Sequence, residues 1–342
     1  MSMYQTLSRR RLLQGLALLL ALGPGARAAD APRHYRLATA TLGGTYYPVG
    51  AALAQLISAR LGPTRQIQAT AINSAGSGEN IQLLRDNAAQ LALLTSLDGR
   101  RAWAGQGPFA AAGPQTRLRS ITALWRKVEH FVVKKDHAKT GTIDDMQGLK
   151  GRPVSLGLQG AGALEANRLL LGNLGLDIEE DFQLVHLGFE DSARALIQGR
   201  IEAMSLPSGV PVPAVTLAFS ALGPGLVLLE FTDAQLAAAN GGLDLWTRHV
   251  IRAGTYPAQD SDVNTIATLD FLAARADVDA EAVYQITRAI YENLAFLRVV
   301  HKALAPMRLE AALPGLPVPL HPGAARFYRE QGLAIPAALL AD

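Results

Sequence analysis

The sequence contains no cysteine. That excludes disulfides, thiolate metal sites, cysteine nucleophiles and a cysteine-linked lipid anchor, and it suits an oxidising compartment. Beyond the first 28 residues no apolar run approaches the length of a membrane span, so a soluble mature protein is expected. The usual enzyme signatures are missing in specific ways. There is no Gly-Lys-Ser/Thr phosphate loop and no His-Glu-x-x-His helix. Gly160-x-Gly162 lacks the third glycine of a dinucleotide fingerprint, because Glu165 stands there. Leu206 occupies the place where a nucleophile elbow around Ser208 needs its first glycine. The histidines, at 34, 130, 137, 186, 249, 301 and 321, have no ligand spacing. No catalysis, metal or cofactor is expected.

What is present begins with a leader. Arg9, Arg10 and Arg11 precede an apolar stretch over residues 12–22, and Ala26-Arg27-Ala28 supplies small residues at −3 and −1. This is a signal peptide pattern with cleavage after Ala28. The basic n-region fits either general secretion or twin-arginine export. The whole chain has a formal charge of +3, from 32 basic and 29 acidic residues. The leader carries four of the arginines and no acid, which leaves 28 basic against 29 acidic residues in the mature chain. Charge therefore offers no support for a nucleic-acid or membrane-surface partner.

The mature chain alternates strand and helix signals. Strands are expected at residues 35–39, 66–72 and 91–94, with helices between them. The first of these helices presents Val49, Leu53, Leu56 and Ile57 on one face. A second series starts near Glu129, with strands at 130–134, 153–157, 184–187, 203–206 and 265–272. A helix following Gly162 ends at Asn173-Leu174-Gly175, and a long amphipathic helix covers 281–304. Alternation of this kind predicts an α/β protein. Two lobes are expected: residues 29–126, with 276–342 returning to them, and residues 127–275.

Three glycine-rich loops each follow a strand and open a helix: Gly43-Gly44-Thr45-Tyr46, Gly76-Ser77-Gly78-Glu79-Asn80 and Gly160-Ala161-Gly162-Ala163. Helix N-termini offer unpaired amides and a partial positive charge, and glycine lets an anion approach the backbone. Loops at the carboxyl ends of strands are where open α/β sheets bind ligands.

These loops, with Leu42 and Tyr47-Pro48-Val49-Gly50 around the first and Ile81-Gln82-Leu83-Leu84 after the second, resemble the start of a TAXI-type solute receptor of TRAP transporters. The resemblance continues through Leu149-Lys150-Gly151-Arg152-Pro153-Val154-Ser155-Leu156-Gly157, the Leu-Ile-Gln-Gly-Arg-Ile-Glu-Ala run at 196–203, Gly209-Val210-Pro211 and Ala253-Gly254-Thr255-Tyr256-Pro257. It spans nearly the whole mature chain. It implies a type II periplasmic-binding-protein fold, with two α/β lobes joined by hinge strands. It also implies a small carboxylate ligand in the cleft, a membrane TRAP permease as partner, and a periplasmic location. The expected site is Gly44, Thr45, Tyr46, Ser77 and Asn80 from one lobe, and Gly160, Ala161, Gly162, Ala163, Gly209 and Pro211 from the other. A monomer is expected.

The sequence departs from that family's pattern at the second glycine loop, where Ala161 and Ala163 replace a serine and a threonine. Gly78 replaces a usual apolar residue, and Arg252 stands where a proline is usual. The lost hydroxyls predict a monocarboxylate or a more apolar acid. The alternative on the same fold is a sensory binding protein that signals to a membrane kinase.

Overall fold

The computed structural model describes residues 32–340; the leader expected over residues 1–28 lies outside them. The first run of elements is β1 (Arg33–Ala38), α1 (Tyr46–Arg65), β2 (Ile67–Ile72), α2 (Ser77–Arg85), β3 (Leu91–Thr95), α3 (Ser96–Ala104) and β4 (Leu118–Val128). The chain continues with β5 (Phe131–Lys134), β6 (Pro153–Ser155), α4 (Gly162–Asn173), α5 (Ile178–Asp181), β7 (Gln183–Leu184), α6 (Phe189–Ile197) and β8 (Ala203–Ser205). It closes with α7 (Pro213–Leu222), β9 (Leu226–Leu228), α8 (Asp233–Asn240), β10 (Thr247–Ile251), β11 (Val263–Arg275), α9 (Ala280–Glu292), α10 (Leu294–Val300) and α11 (Pro322–Glu330).

The strands form two sheets that share one order. The first runs β2-β1-β3-β11, with β4 on the far side of β11 and β10 beside the start of β11. The second runs β7-β6-β8-β5-β9. In each, three parallel strands meet an antiparallel fourth. β10 and β11 fall in the range expected for the second lobe, yet both hydrogen-bond into the first sheet.

β4 and β11 pair antiparallel along almost their whole length and run from one lobe to the other. The side chains of β11 show this directly. Phe271, Leu272, Ala273 and Ala274 pack in the first lobe's core, whereas Ile266 enters a core on one face of the second sheet and Val263 and Ala267 a core on the other. No strand is expected from the sequence over residues 118–128. The register shifts twice, so that Ile121 and Leu124 have no partner on β11. Each bulge reverses the pleat, and residues 118–128 therefore lack the alternation that marks a strand.

One expected element divides. The amphipathic pattern over 281–304 reads as a single helix, but the chain forms α9, α10 and a short 3-10 turn, Lys302–Leu304. Asn293 leaves helical geometry at φ −125°, ψ 28°, and its side-chain amide donates to the Ala289 carbonyl at 2.8 Å. Such local bonding competes with the helical ladder. The expected strand at 184–187 is also shorter, because only Gln183 and Leu184 pair. Gly175, with φ 81°, follows the end of α4 as the sequence predicts.

A carboxyl group is buried in the hinge pair. Asp270 of β11 is fully enclosed. Its Oδ1 accepts a 2.9 Å hydrogen bond from the Tyr46 hydroxyl, and beside the Trp125 indole its Oδ2 has no hydrogen bond of normal geometry among the described residues. Burial pushes its carboxyl up to about 7, against the opposing pull of Lys127 and of the Tyr46 bond. The folded state thus keeps a proton that the unfolded chain releases near about pH 4. The stability this gives is complete below that pH and is lost as pH rises through 7, by roughly 4 kcal/mol at most. Asp270→Asn should therefore gain melting temperature relative to the native protein as pH rises from about 5 to 8. Parallel melting curves across that range would show that Asp270 does not titrate here.

Candidate functional site

The carboxyl ends of β1, β2 and β3 face those of β6 and β8, and the loops that leave them meet. A cavity of about 50 Å³ lies between, at the foot of which β4 passes. Gly44, Thr45, Tyr46 and Ser77 line it from the first lobe, and Ala161, Gly162 and Ala163 from the second. Seven of the eleven residues expected from the sequence are thereby brought together.

The lobes touch on both sides of the cavity. On one side the Thr45 amide donates to Ser208 Oγ at 3.1 Å, the Ser208 hydroxyl donates to Thr45 Oγ1 at 3.0 Å, and that hydroxyl passes on to the Gly209 carbonyl at 3.1 Å. The Ala214 amide donates to the Gly43 carbonyl at 3.0 Å. On the other side the Glu79 amide donates to the Gly160 carbonyl at 3.2 Å. Leu97, on α3 of the first lobe, packs into a core of the second.

Close approach of this kind needs glycine. A Cβ at Gly78 would collide with the Gly160 carbonyl oxygen, and one at Gly162 with the Asp98 carboxylate. Gly78, where the family resembled usually has an apolar residue, is here the point at which the two loops touch. The Asp98 carboxylate lies at the N-terminus of α4, where a negative charge is favoured.

The remaining expected residues lie elsewhere. Asn80 is fully buried behind the cleft. Its amide donates to the Thr39 and Leu93 carbonyls at 2.7 and 2.9 Å, and its Oδ1 accepts from Ser74 at 2.6 Å. Gly160 and Gly209 offer their carbonyls to the opposite lobe, and Pro211, after a cis peptide bond, is not among the lining residues. Hydroxyls expected to reach a ligand are also engaged by the protein: Thr45 by Ser208 and Gly209, and Tyr46 by Asp270. Ser77 is the first residue of α2, and Gly76, at φ 125°, is its cap. Ser77 Oγ accepts the Thr95 amide at 3.1 Å.

The residue that sequence reasoning missed is Lys127. It lines the cavity from β4 and is 4% exposed. Among the described residues it makes no hydrogen bond and no ion pair, although its charge is felt by the buried Asp270 and Glu129. The available signal was a lysine inside an otherwise buried segment, Leu124-Trp125-Arg126-Lys127-Val128. Also missed is the apolar wall of the second lobe, made by Leu158, Leu187, Phe189 and Pro207.

The pattern of the NMT1-like family matches residues 37–332. The chain belongs to that family. Among solved structures, this NMT1-like protein is similar to MatC from Rhodopseudomonas palustris with bound malate, at 16% identity and a TM-score of 0.51, over 87% of this chain and 96% of that one. It is also similar to a structure described as a periplasmic transporter, at 15% identity and a TM-score of 0.50, over 88% and 93%. The likeness is one of fold: a two-lobed periplasmic solute-binding architecture.

Two outcomes follow from the placement of these residues. Asn80→Ala should lower stability by roughly 1–3 kcal/mol, since buried partners lose their donor, and leave affinity per folded molecule unchanged. Urea unfolding together with calorimetric titration measures both, and weakened binding in a fully stable variant would restore Asn80 to the site. Gly78→Ala lies at the second residue of α2, where alanine suits the helix, so both lobes should fold. The lobes should fail to close on ligand, with a larger radius of gyration in solution scattering and weaker binding. Native compaction on ligand addition would rule this out.

Proposed function

We propose that this NMT1-like protein is an exported solute receptor of the TAXI type, which captures a small carboxylate between its lobes and delivers it to a TRAP permease. It works as a periplasmic monomer after removal of the leader at Ala28, and it performs no chemistry on its ligand. The observation that carries this reading is Lys127. A buried cation with no hydrogen bond or ion pair among the described residues is unfavourable by itself, and it stands in a cavity between two lobes that touch through their loops. An anionic ligand supplies the missing charge. The helix N-termini beside it add amide donors. The Tyr46 amide makes no hydrogen bond among the described residues, and helix starts favour anions.

Two further points support the reading. MatC, on the same fold, holds malate, itself a small carboxylate. The loops Gly43–Tyr46 and Gly76–Asn80 carry the TAXI resemblance, and their glycines Gly44 and Gly76 border the cavity.

A thermal-shift screen of the mature protein against organic acids and amino acids tests the proposal. A carboxylate at a hundredfold excess over its dissociation constant should stabilise by about 2.7 kcal/mol. Lys127→Met keeps the length and burial of the side chain and removes its charge. A hydrogen bond to a charged group is worth roughly 1.5–3 kcal/mol, so this variant should lose about one to two decades of affinity while melting at or above the native temperature without ligand. Equal carboxylate binding by Lys127→Met, or preference for a neutral or cationic solute, would overturn the reading.

A further inference from the structure

The geometry points to a ligand of one charge: an aliphatic monocarboxylate, with its carboxylate at Lys127 and its hydrocarbon body against the second lobe. This rests on the receptor function proposed above and narrows it to a substrate class.

The cavity has two unlike walls. Lys127 is the one charged side chain among those lining it, and it stands on the hinge strand at one pole. The facing wall of the second lobe is Leu158, Ala161, Ala163, Leu187, Phe189 and Pro207, none of which has a polar side-chain atom, and the one hydroxyl that lobe brings to the cavity, Ser208, is spent on Thr45. A second carboxylate directed at that wall would lose its water and find no cation. Such a group is costly to bury.

Two helix starts reach that wall: α6, through Gly188 and Phe189, carries Glu190 and Asp191 in its own first turn, and α4 offers the free amides of Gly162 and Ala163. A protein carboxylate already lies against it. Asp98 is 1% exposed, and its Oδ2 is so close to Gly162 that a Cβ there would strike it. Oδ2 is bonded to the Thr95 hydroxyl at 2.9 Å, and Oδ1 has no partner. The partial charge of the helix terminus therefore faces a fixed negative group, and a second ligand carboxylate would meet that charge in a dry site. The remaining buried carboxyls near Lys127, Asp270 and Glu129, add no cation to the cavity. The side chains of Ala161 and Ala163 offer no hydroxyl that could solvate a polar end there.

The test is calorimetric titration of the native mature protein with butanoate, 3-methylbutanoate, butanedioate, pentanedioate and leucine. The monocarboxylates should bind at least about 100-fold more tightly than the dicarboxylate of matching length, which is about 2.7 kcal/mol. Leucine, whose ammonium would face the Lys127 cation, should be weaker than 3-methylbutanoate. The double variant Ala161→Ser/Ala163→Thr should narrow the gap between mono- and dicarboxylate by about tenfold or more. A dicarboxylate or leucine that binds as tightly as the monocarboxylates overturns this inference and leaves the receptor reading standing. An unchanged preference in the double variant also overturns it, because the apolar wall would then not be the selector. Failure of every carboxylate, with a neutral solute bound instead, removes the receptor reading and this inference together.

Discussion

The antiparallel pairing of β4 with β11 is the constraint on which the rest of the molecule depends. These two strands are the covalent and hydrogen-bonded bridge between the sheets. They must be ordered enough to register the lobes and still allow the loops at the strand ends to separate and meet. Side chains of β11 enter three cores, so neither lobe can fold fully without the bridge being formed. The two bulges on β4 increase the local twist, and they set which side chains of its last residues face the cleft. Lys127 and the pair Trp125–Asp270 stand next to the cavity because of that phase.

The same bridge explains why charge is concentrated where it is most costly. Lys127, Glu129 and Asp270 are all buried on or beside it. Glu129 accepts the Trp246 indole N–H at 3.0 Å, and burial raises its pKa. Burial disfavours the ionised forms of the two carboxyls, and on the function proposed above an incoming anion completes the group. Where a folded protein normally pairs every buried charge internally, Lys127 has no ion pair among the described residues, and the loops around it contribute apolar surface and backbone amides.

Much of the architecture was legible in the sequence. Runs such as Leu91-Ala92-Leu93-Leu94 are apolar throughout because their strands are covered on both faces, and the glycines at 43, 76 and 160 mark real strand-to-helix turns with positive φ. The gathering of Thr45, Tyr46, Ser77 and the Gly160–Ala163 loop at one cavity followed from the same logic. Three things were hidden. The bulges in β4 erase its alternation. Asn80 has the chemistry of a ligand donor, and only the tertiary structure shows its amide spent on the Thr39 and Leu93 carbonyls. Lys127 looks like one more surface lysine, because nothing local announces that both sides of its strand are covered.

Closure and selectivity converge on the same few small residues. Gly78 and Gly162 have no side chains because the opposite lobe's Gly160 carbonyl and Asp98 carboxylate occupy that space. At Gly162 the Asp98 carboxylate of the opposite lobe lies against the N-terminus of α4 without taking a hydrogen bond from its amides. A helix terminus that already faces a carboxylate is less available to hold a second charge on the solute. The closed state therefore gains an interlobe contact and loses an anion site by the same interaction. On the function proposed above, this couples how tightly the lobes meet to how many charges the cavity accepts, with Lys127 as the point of attraction.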